Sequence, residues 1–384
     1  MSNFFLMPAV VSIGEDALEA AAGNIARCGR KALVVTDPMM VKLGSVSKLT
    51  AVLDGAGVTH AVYDGVTGEP TDEMVAGGLK AYREENCDFL IALGGGSPID
   101  TMKAIGAMIT NPGEITNYLG RVIPNSPPPL VAVPTTAGTG SEATQFTIIT
   151  DTKRDIKMLL KGPGLIPSLA VVDPAFTLTS PAGVTAATGL DALTHAVESF
   201  TSRKAQPMSD TFALSAVRRI FENLPAAYHN GGDAAARCEM STAALEAGVA
   251  FNNASVTIVH GMSRPIGALF HVPHGLSNAM LLPACLEFAL PGAPERFAEL
   301  ARAVGAAGPG AGDAEAGRAF LAAVDDLCRE LAIQTPEQFG IDRGKFFDSL
   351  DKMADDALAS GSPANTIRPV GKEDVLAIYR ALWD

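Results

Sequence analysis

The run Asp88-Phe-Leu-Ile-Ala-Leu93 passes directly into Gly94-Gly95-Gly96-Ser97-Pro98-Ile99-Asp100, and this junction constrains the chain more than any other stretch. A short, continuous apolar run reads as a strand buried on both faces. The glycines let the backbone turn tightly and approach a ligand without Cβ clashes. Ser97 suits an N-cap and Pro98 a first helical turn, so a helix over Ile99–Thr110 is expected, with Asp100 and Lys103 in its first turns. Free amides at that helix start can hold a pyrophosphate. The spacing is not GxGxxG, and a tight turn that binds nothing is the alternative reading.

Comparable units flank this one. Lys31–Asp37, His60–Tyr63 and Leu130–Pro134 read as strands; Val41–Ala56 and Thr71–Asn86 read as helices, the second capped by Thr71. Strands alternating with helices predict a parallel sheet with crossover helices. Further strand-like runs lie at Thr147–Ile149, Ile156–Leu160 and Leu169–Asp173. Beyond Pro181 the character changes to alanine-rich helical segments: 183–201, 207–228, 234–249, 294–304, 313–331 and 344–359. Two domains follow, an α/β dinucleotide-binding domain over 1–180 and an α-helical domain over 181–384, which suits a length of 384 residues.

A second loop, Pro134-Thr135-Thr136-Ala137-Gly138-Thr139-Gly140-Ser141-Glu142, follows the next strong strand. Glycines and small hydroxylated residues after a strand's carboxyl end fit a ligand crevice, and the hydroxyls of Thr135, Thr136 and Thr139 can donate to phosphate or nicotinamide groups. Asp37 closes the first strand candidate. There it either accepts from the ribose hydroxyls of NAD, repelling the extra phosphate of NADP, or simply forms a turn with Pro38.

A net charge of −13 argues against nucleic acid as a partner and offers no polybasic membrane signal. There is no apolar run of membrane-spanning length and no basic n-region ahead of the N-terminal apolar stretch, so a cytoplasmic protein is expected. The five cysteines are scattered without zinc-finger spacing and read as reduced, mostly buried thiols.

Asp191 and His195 stand four apart on a predicted helix and share one face, a two-ligand half-site. Of six histidines, three (His260, His271, His274) fall within fifteen residues. Imidazoles with one carboxylate and no thiolate suit Fe(II), Zn(II) or another divalent metal in a Lewis-acid role, rather than a structural zinc.

With these residues in view, the chain resembles the iron-containing (group III, metal-dependent) alcohol dehydrogenase family. GGGSPIDTMKAIG, VPTTAGTGSEAT, TGLDALTHAVES and VHGMSRPIGALFHVPHGLSNAMLLP carry the resemblance, which spans nearly the whole chain. It implies the dehydroquinate synthase-like fold: an N-terminal dinucleotide-binding α/β domain, an all-α C-terminal domain, and a metal held in the cleft between them. It implies Asp191, His195, His260 and His274 as metal ligands. Gly95, Gly96 and Ser97 would meet the pyrophosphate, with Asp100, Thr135, Thr136 and Thr139 nearby. Asp37 matches a position that selects NAD, and Lys157 a lysine near the adenosine part. Members form dimers or larger assemblies, and the apolar stretch Phe4–Ile13 is a strand candidate for pairing between subunits.

Two positions depart from the pattern. Arg264 stands where many relatives carry histidine, a proton-relay candidate; it could instead attract an anionic substrate or pair with a phosphate or a local acid. Glu69-Pro70-Thr71 replaces an Asn-Pro-Thr run. His271 is left as the available relay histidine, or as a structural one. The expected activity is hydride transfer between nicotinamide C4 and a small primary alcohol or aldehyde bound to Fe(II). Reduction of a small carboxylated semialdehyde, or polyol oxidation like that of zinc glycerol dehydrogenases, is the alternative.

Overall fold

The computed structural model describes residues 3–383. They divide into two compact units, one over 6–179 and one over 180–383 together with 3–5.

The first unit holds eight strands: β1 (Val10–Ile13), β2 (Lys31–Val35), β3 (Thr59–Tyr63), β4 (Phe89–Gly94), β5 (Leu130–Pro134), β6 (Phe146–Asp151), β7 (Ile156–Lys161) and β8 (Leu169–Val172). Six of them form one parallel sheet in the order β1-β8-β5-β4-β2-β3. Their near-continuous apolar sequences follow from two cores, one per sheet face. Leu33, Val35, Leu90 and Ala92 enter one core; Ala32, Val34, Phe89, Ile91 and Leu93 enter the other. Successive side chains alternate between faces, so both phases of each strand must be apolar.

The chain runs from β2 outward to β3, then crosses back to lay β4 on the other side of β2. The carboxyl ends of β2 and β4 therefore flank a topological switch point, where sheets of this kind bind ligands. Thr36 Oγ1 donates to Leu93 O at 2.7 Å and ties these two ends together.

Several local expectations need correction. The helix expected over Val41–Ala56 is two, Pro38–Lys42 and Ser45–Gly55, because Gly44 adopts φ 78° between them. Ser97 is not the N-cap: the helix runs Gly96–Thr110 and Gly95 precedes it, which puts Ser97 inside the first turn. Strands β6 and β7 do not join the main sheet but pair antiparallel as a separate two-stranded sheet. Only Val10–Ile13 of the N-terminal stretch is a strand, and it pairs with β8 of its own chain at the sheet edge. The helix expected over 344–359 is Arg343–Asp348 and Leu350–Ala359, broken at Ser349.

The second unit contains no named strand among the described residues. Its central helix, Ala182–Phe200, buries every residue from Gly189 to Phe200; outside the site residues the stretch is apolar or small, and the hydroxyls of Thr194 and Ser199 donate back to the carbonyls of Leu190 and Ala196. Gly189 permits this packing: a Cβ there would lie 2.4 Å from Leu224 Cδ1 on the helix Pro207–His229. Two further helices, Ile258–Phe270 and His274–Ala289, supply the remaining site residues.

Candidate functional site

Asp191, His195 and Glu198 stand at i, i+4 and i+7 on the helix Ala182–Phe200 and share one buried face. His260 sits in the first turn of the helix Ile258–Phe270, and His274 is the first residue of the next helix. Gly275 lets that third helix come close. A Cβ at Gly275 would lie 2.5 Å from Ala187 O and 3.4 Å from Asp191 Cβ.

The four residues singled out as ligands converge. Asp191 Oδ1 is 3.7 Å from His260 Nε2 and 3.6 Å from His274 Nε2, and Asp191 Oδ2 is 4.0 Å from His195 Nδ1. Ligand atoms of Asp191, His195 and His260 all lie within 4.8 Å of one another. The rings of His195 and His260 stack at 4.4 Å between centroids, and Phe251 covers the His195 ring at 4.2 Å.

Their electrostatics suit a cation. Burial pulls the His195 imidazole down to about 3, against the opposing pull of Asp191, so the ring is neutral and keeps a lone pair. Burial alone would raise the Asp191 carboxyl; the three imidazoles and a hydrogen bond from Asn278 outweigh it and hold the group below its usual range.

Two residues that sequence reasoning left unassigned hold this set. Glu198 Oε2 lies 2.6 Å from His260 Nδ1, and its Oε1 accepts from Thr257 Oγ1 at 2.8 Å and from the Val259 amide at 2.6 Å. Asn278, four residues after His274, donates from Nδ2 to Asp191 Oδ1 at 2.7 Å. The same nitrogen is 3.2 Å from both His260 Nε2 and His274 Nε2. One amide, with two protons, thus bridges three of the four candidate ligands. His195 Nδ1 is buried without a hydrogen-bond partner. An orphaned nitrogen in a converging set of this kind fits a bound divalent metal. The signals were present: a carboxylate at i+7 of Asp191 in an apolar helix, and an amide at i+4 of His274.

His271 is not brought into this cluster. It ends the helix Ile258–Phe270 in the left-handed conformation at φ 55° and is exposed. Arg264, one turn beyond His260, is half-buried.

In the first unit the two glycine- and threonine-bearing loops meet. Strands β4 and β5 pair in register up to Gly94↔Pro134, and the Thr135 amide then donates to Gly94 O at 3.0 Å. A Cβ on Gly95 would stand 3.4 Å from Thr136 Oγ1, and one on Gly96 3.0 Å from Thr139 Cγ2. Both positions therefore face the threonine loop, Gly96 tightly and Gly95 at ordinary contact distance. Asp37 lies beyond β2, and its Oδ1 accepts from the amides of Met39 and Met40, capping the short helix Pro38–Lys42.

Asp100 and Lys157 have scaffold partners. Asp100 Oδ2 accepts from the Ile148 amide at 2.9 Å, fastening the helix Gly96–Thr110 to β6. Buried Lys103 does the same, donating to Thr144 O, Thr144 Oγ1 and Phe146 O. Lys157 pairs with Glu69 at 2.6 Å, so the Glu69-Pro70-Thr71 departure engages that lysine directly.

Comparison with known proteins agrees with both halves. A family model described as iron-containing alcohol dehydrogenase matches residues 8–174, and one described as Fe-containing alcohol dehydrogenase family, C-terminal, matches residues 185–383. The chain belongs to the iron-containing alcohol dehydrogenase family. It is an alcohol oxidoreductase. It is 38% identical to 1,3-propanediol dehydrogenase of Klebsiella pneumoniae over 98% of this chain and 97% of that one. NAD-dependent methanol dehydrogenase of Bacillus methanolicus is 39% identical over 87% of this chain and 88% of its own. A crystal structure of 1,3-propanediol oxidoreductase superposes with a TM-score of 0.96 at 37% identity, covering all of both chains. Among the described residues no helix is long and apolar enough to cross a membrane.

Proposed function

We propose that this chain is a NAD(H)-linked, divalent-metal-dependent alcohol dehydrogenase that interconverts a small primary alcohol and its aldehyde. Hydride passes between the carbinol carbon and nicotinamide C4, and the hydroxyl proton is released in oxidation or taken up in reduction. The observation that carries this reading is the convergence of Asp191, His195, His260 and His274, with His195 Nδ1 buried there without a hydrogen-bond partner. A bound Fe(II) or Zn(II) would supply Lewis acidity that polarises the alcohol or aldehyde oxygen.

The chain's own residues hold and orient. Asp191, His195, His260 and His274 are the ligands. Glu198 sets the His260 ring, and Asn278 steadies Asp191. The amides of Gly95, Gly96 and Ser97 hold the pyrophosphate at the start of their helix. Thr135, Thr136 and Thr139 line the cofactor, and Asp37 Oδ2 receives the ribose hydroxyls while Oδ1 stays in its cap. Asp100 keeps the phosphate helix in place, and Lys157 lies by the adenosine part. His271, exposed to solvent, exchanges the proton.

Five cysteines that form no disulfide fit a cytoplasmic location. Val10 and Ile13, exposed on the edge strand β1, support assembly as a homodimer or larger oligomer.

The test is reconstitution. Protein stripped with a chelator is reloaded with Fe(II) or Zn(II), and NADH absorbance is followed with a panel of short aldehydes. Turnover is expected only after loading. Full turnover in the stripped protein, or none with either metal across the panel, overturns the reading.

A further inference from the structure

Arg264 has no part in the metal set or in the chemistry assigned to it. It lies one turn after His260 on the helix Ile258–Phe270, so the two side chains leave the same face. Its guanidinium carries five N–H donors in a planar fork. Among the described residues none of them enters a hydrogen bond or an ion pair, although the side chain is half-buried. Burial pulls the group below its usual range, and Glu198 opposes that. Glu198 is no direct partner, however: it accepts from Thr257 and the Val259 amide and pairs with His260, and it forms no ion pair with Arg264.

The other buried or half-buried arginines described in this unit find acceptors, as does exposed Arg203. Arg237 donates to Thr185, Gly231 and Ser180; Arg203 donates to the carbonyls of Thr366 and Ile367; Arg296 holds Phe200 O and Asp210. A partly desolvated guanidinium is expected to find acceptors, because leaving its donors unmet costs free energy. A carboxylate, with two oxygens in one plane, is the acceptor whose shape matches that fork beside the ligand set.

We propose that Arg264 binds the carboxylate of the substrate, so that the aldehydes this protein reduces are short oxo acids. This rests on the dehydrogenase reading and narrows its substrate class. Side chains four apart on a helix stand about 5–6 Å from each other at Cβ, which matches a short linear chain between a reacting carbonyl and a terminal acid group. A planar fork meeting a carboxylate also fixes orientation, since both oxygens are held at once.

The test compares succinic semialdehyde with butanal, a neutral aldehyde of equal chain length, in metal-loaded wild type, Arg264→Ala and Arg264→Lys. Calorimetric binding of succinate and of NADH to the same proteins accompanies the kinetics. Wild type is expected to favour succinic semialdehyde in kcat/KM by at least about tenfold. Arg264→Ala should lower that value by about 10–100-fold, mostly through KM, and leave butanal within about threefold. Arg264→Lys, which keeps the charge without the fork, should fall between. Succinate binding should weaken in parallel, with NADH binding unchanged.

The assignment is overturned if wild type does not discriminate between the two aldehydes, if both lose equally in Arg264→Ala, or if the variant weakens NADH binding instead. Absence of turnover with every aldehyde, while succinate still binds wild type and not Arg264→Ala, would overturn the dehydrogenase reading and leave the anion site standing.

Discussion

Glu198 Oε2 lies 2.6 Å from His260 Nδ1, and this contact decides which nitrogen of His260 carries the proton. Both groups are buried, and burial alone would raise the Glu198 carboxyl; His260 and Thr257 hold it below its usual range, so it is an acceptor. His260 Nδ1 must then be the N–H. Nε2, which faces Asp191, is left with the lone pair. The second contact of the ring agrees, because the Asn278 amide approaches Nε2 as a donor. A carboxylate behind a histidine is the usual device for orienting a metal ligand.

Replacing Glu198 by Gln should therefore cost metal affinity with little change in volume. The Gln amide can accept from Nδ1 through its oxygen, but it can also donate to Nδ1 and drive the proton to Nε2. We expect affinity for Zn(II) to fall by about 10–100-fold in a competition with a chelator. Glu198→Asp, which keeps the charge, should recover part of it. Equal affinity in wild type and Glu198→Gln would show that the tautomer is set by something else.

Gly275→Ala should damage the same site sterically. The new Cβ would meet Ala187 O at 2.5 Å, and backbone cannot retreat as a flexible side chain can. Either the helix His274–Ala289 moves away, carrying His274 with it, or the strain is kept. Overpacking of this kind costs about 1–3 kcal/mol. Chemical denaturation should register that loss, and metal content after purification should fall. A variant with wild-type stability and full metal content would mean that the two helices have room to spare.

Much of this was legible in the sequence, for a reason that also sets the limit. Asp191 and His195 share a helix, so their common face follows from spacing alone, and the glycine loop follows from a buried strand ending in small residues. Contacts between distant segments carry no such periodicity. His260 Nε2 meets Asp191 Oδ1 because three helices pack together, and only the family resemblance chose His260 and His274 over His271. Glu198 escaped because a lone acid on a helix normally reads as surface, whereas here its neighbours bury it. Strands β6 and β7 were visible as strands but not as a separate sheet. The alternating burial of β6 and β7, with one face covered, is what distinguishes them from the fully buried central strands β4, β5 and β8 of the main sheet. Gly44 at φ 78° broke a helix whose apolar pattern continued across it.

Asp37→Gly should change cofactor choice more than stability. Only Oδ1 is used in the cap, and glycine at an N-cap costs a few tenths of a kcal/mol. Loss of the carboxylate removes both the ribose acceptor and the repulsion of a second phosphate. We expect kcat/KM with NADPH to rise by about tenfold or more and that with NADH to fall, at a nearly constant melting temperature. If NADPH use is unchanged, the carboxylate serves the cap alone.

Glu142 should make the stability of the first unit depend on pH. It is 2% exposed, and burial pushes its carboxyl up to about 7, with its own backbone and Lys103 pulling the other way. In the unfolded chain the group titrates at its ordinary value of 4.5. Between those values the folded protein holds a proton that the unfolded chain has released, so this contribution is fully present below about 4.5 and is lost as pH rises through about 7. Above that, folding must bury a carboxylate. Glu142→Gln removes the titration and keeps the shape. The variant should match wild type near pH 4.5 and exceed it by about 1–3 kcal/mol above pH 7, at about 1.36 kcal/mol per pKa unit and with Lys103 losing a counter-charge. Lys103 contributes its own slope in a separate window: burial lowers it to about 8, so stability rises from there toward its ordinary 10.5 in both proteins. Urea midpoints measured across this range separate the two groups. Parallel curves for wild type and Glu142→Gln between pH 4.5 and 7 would mean that Glu142 is already ionised in the folded protein, its charge held by Lys103.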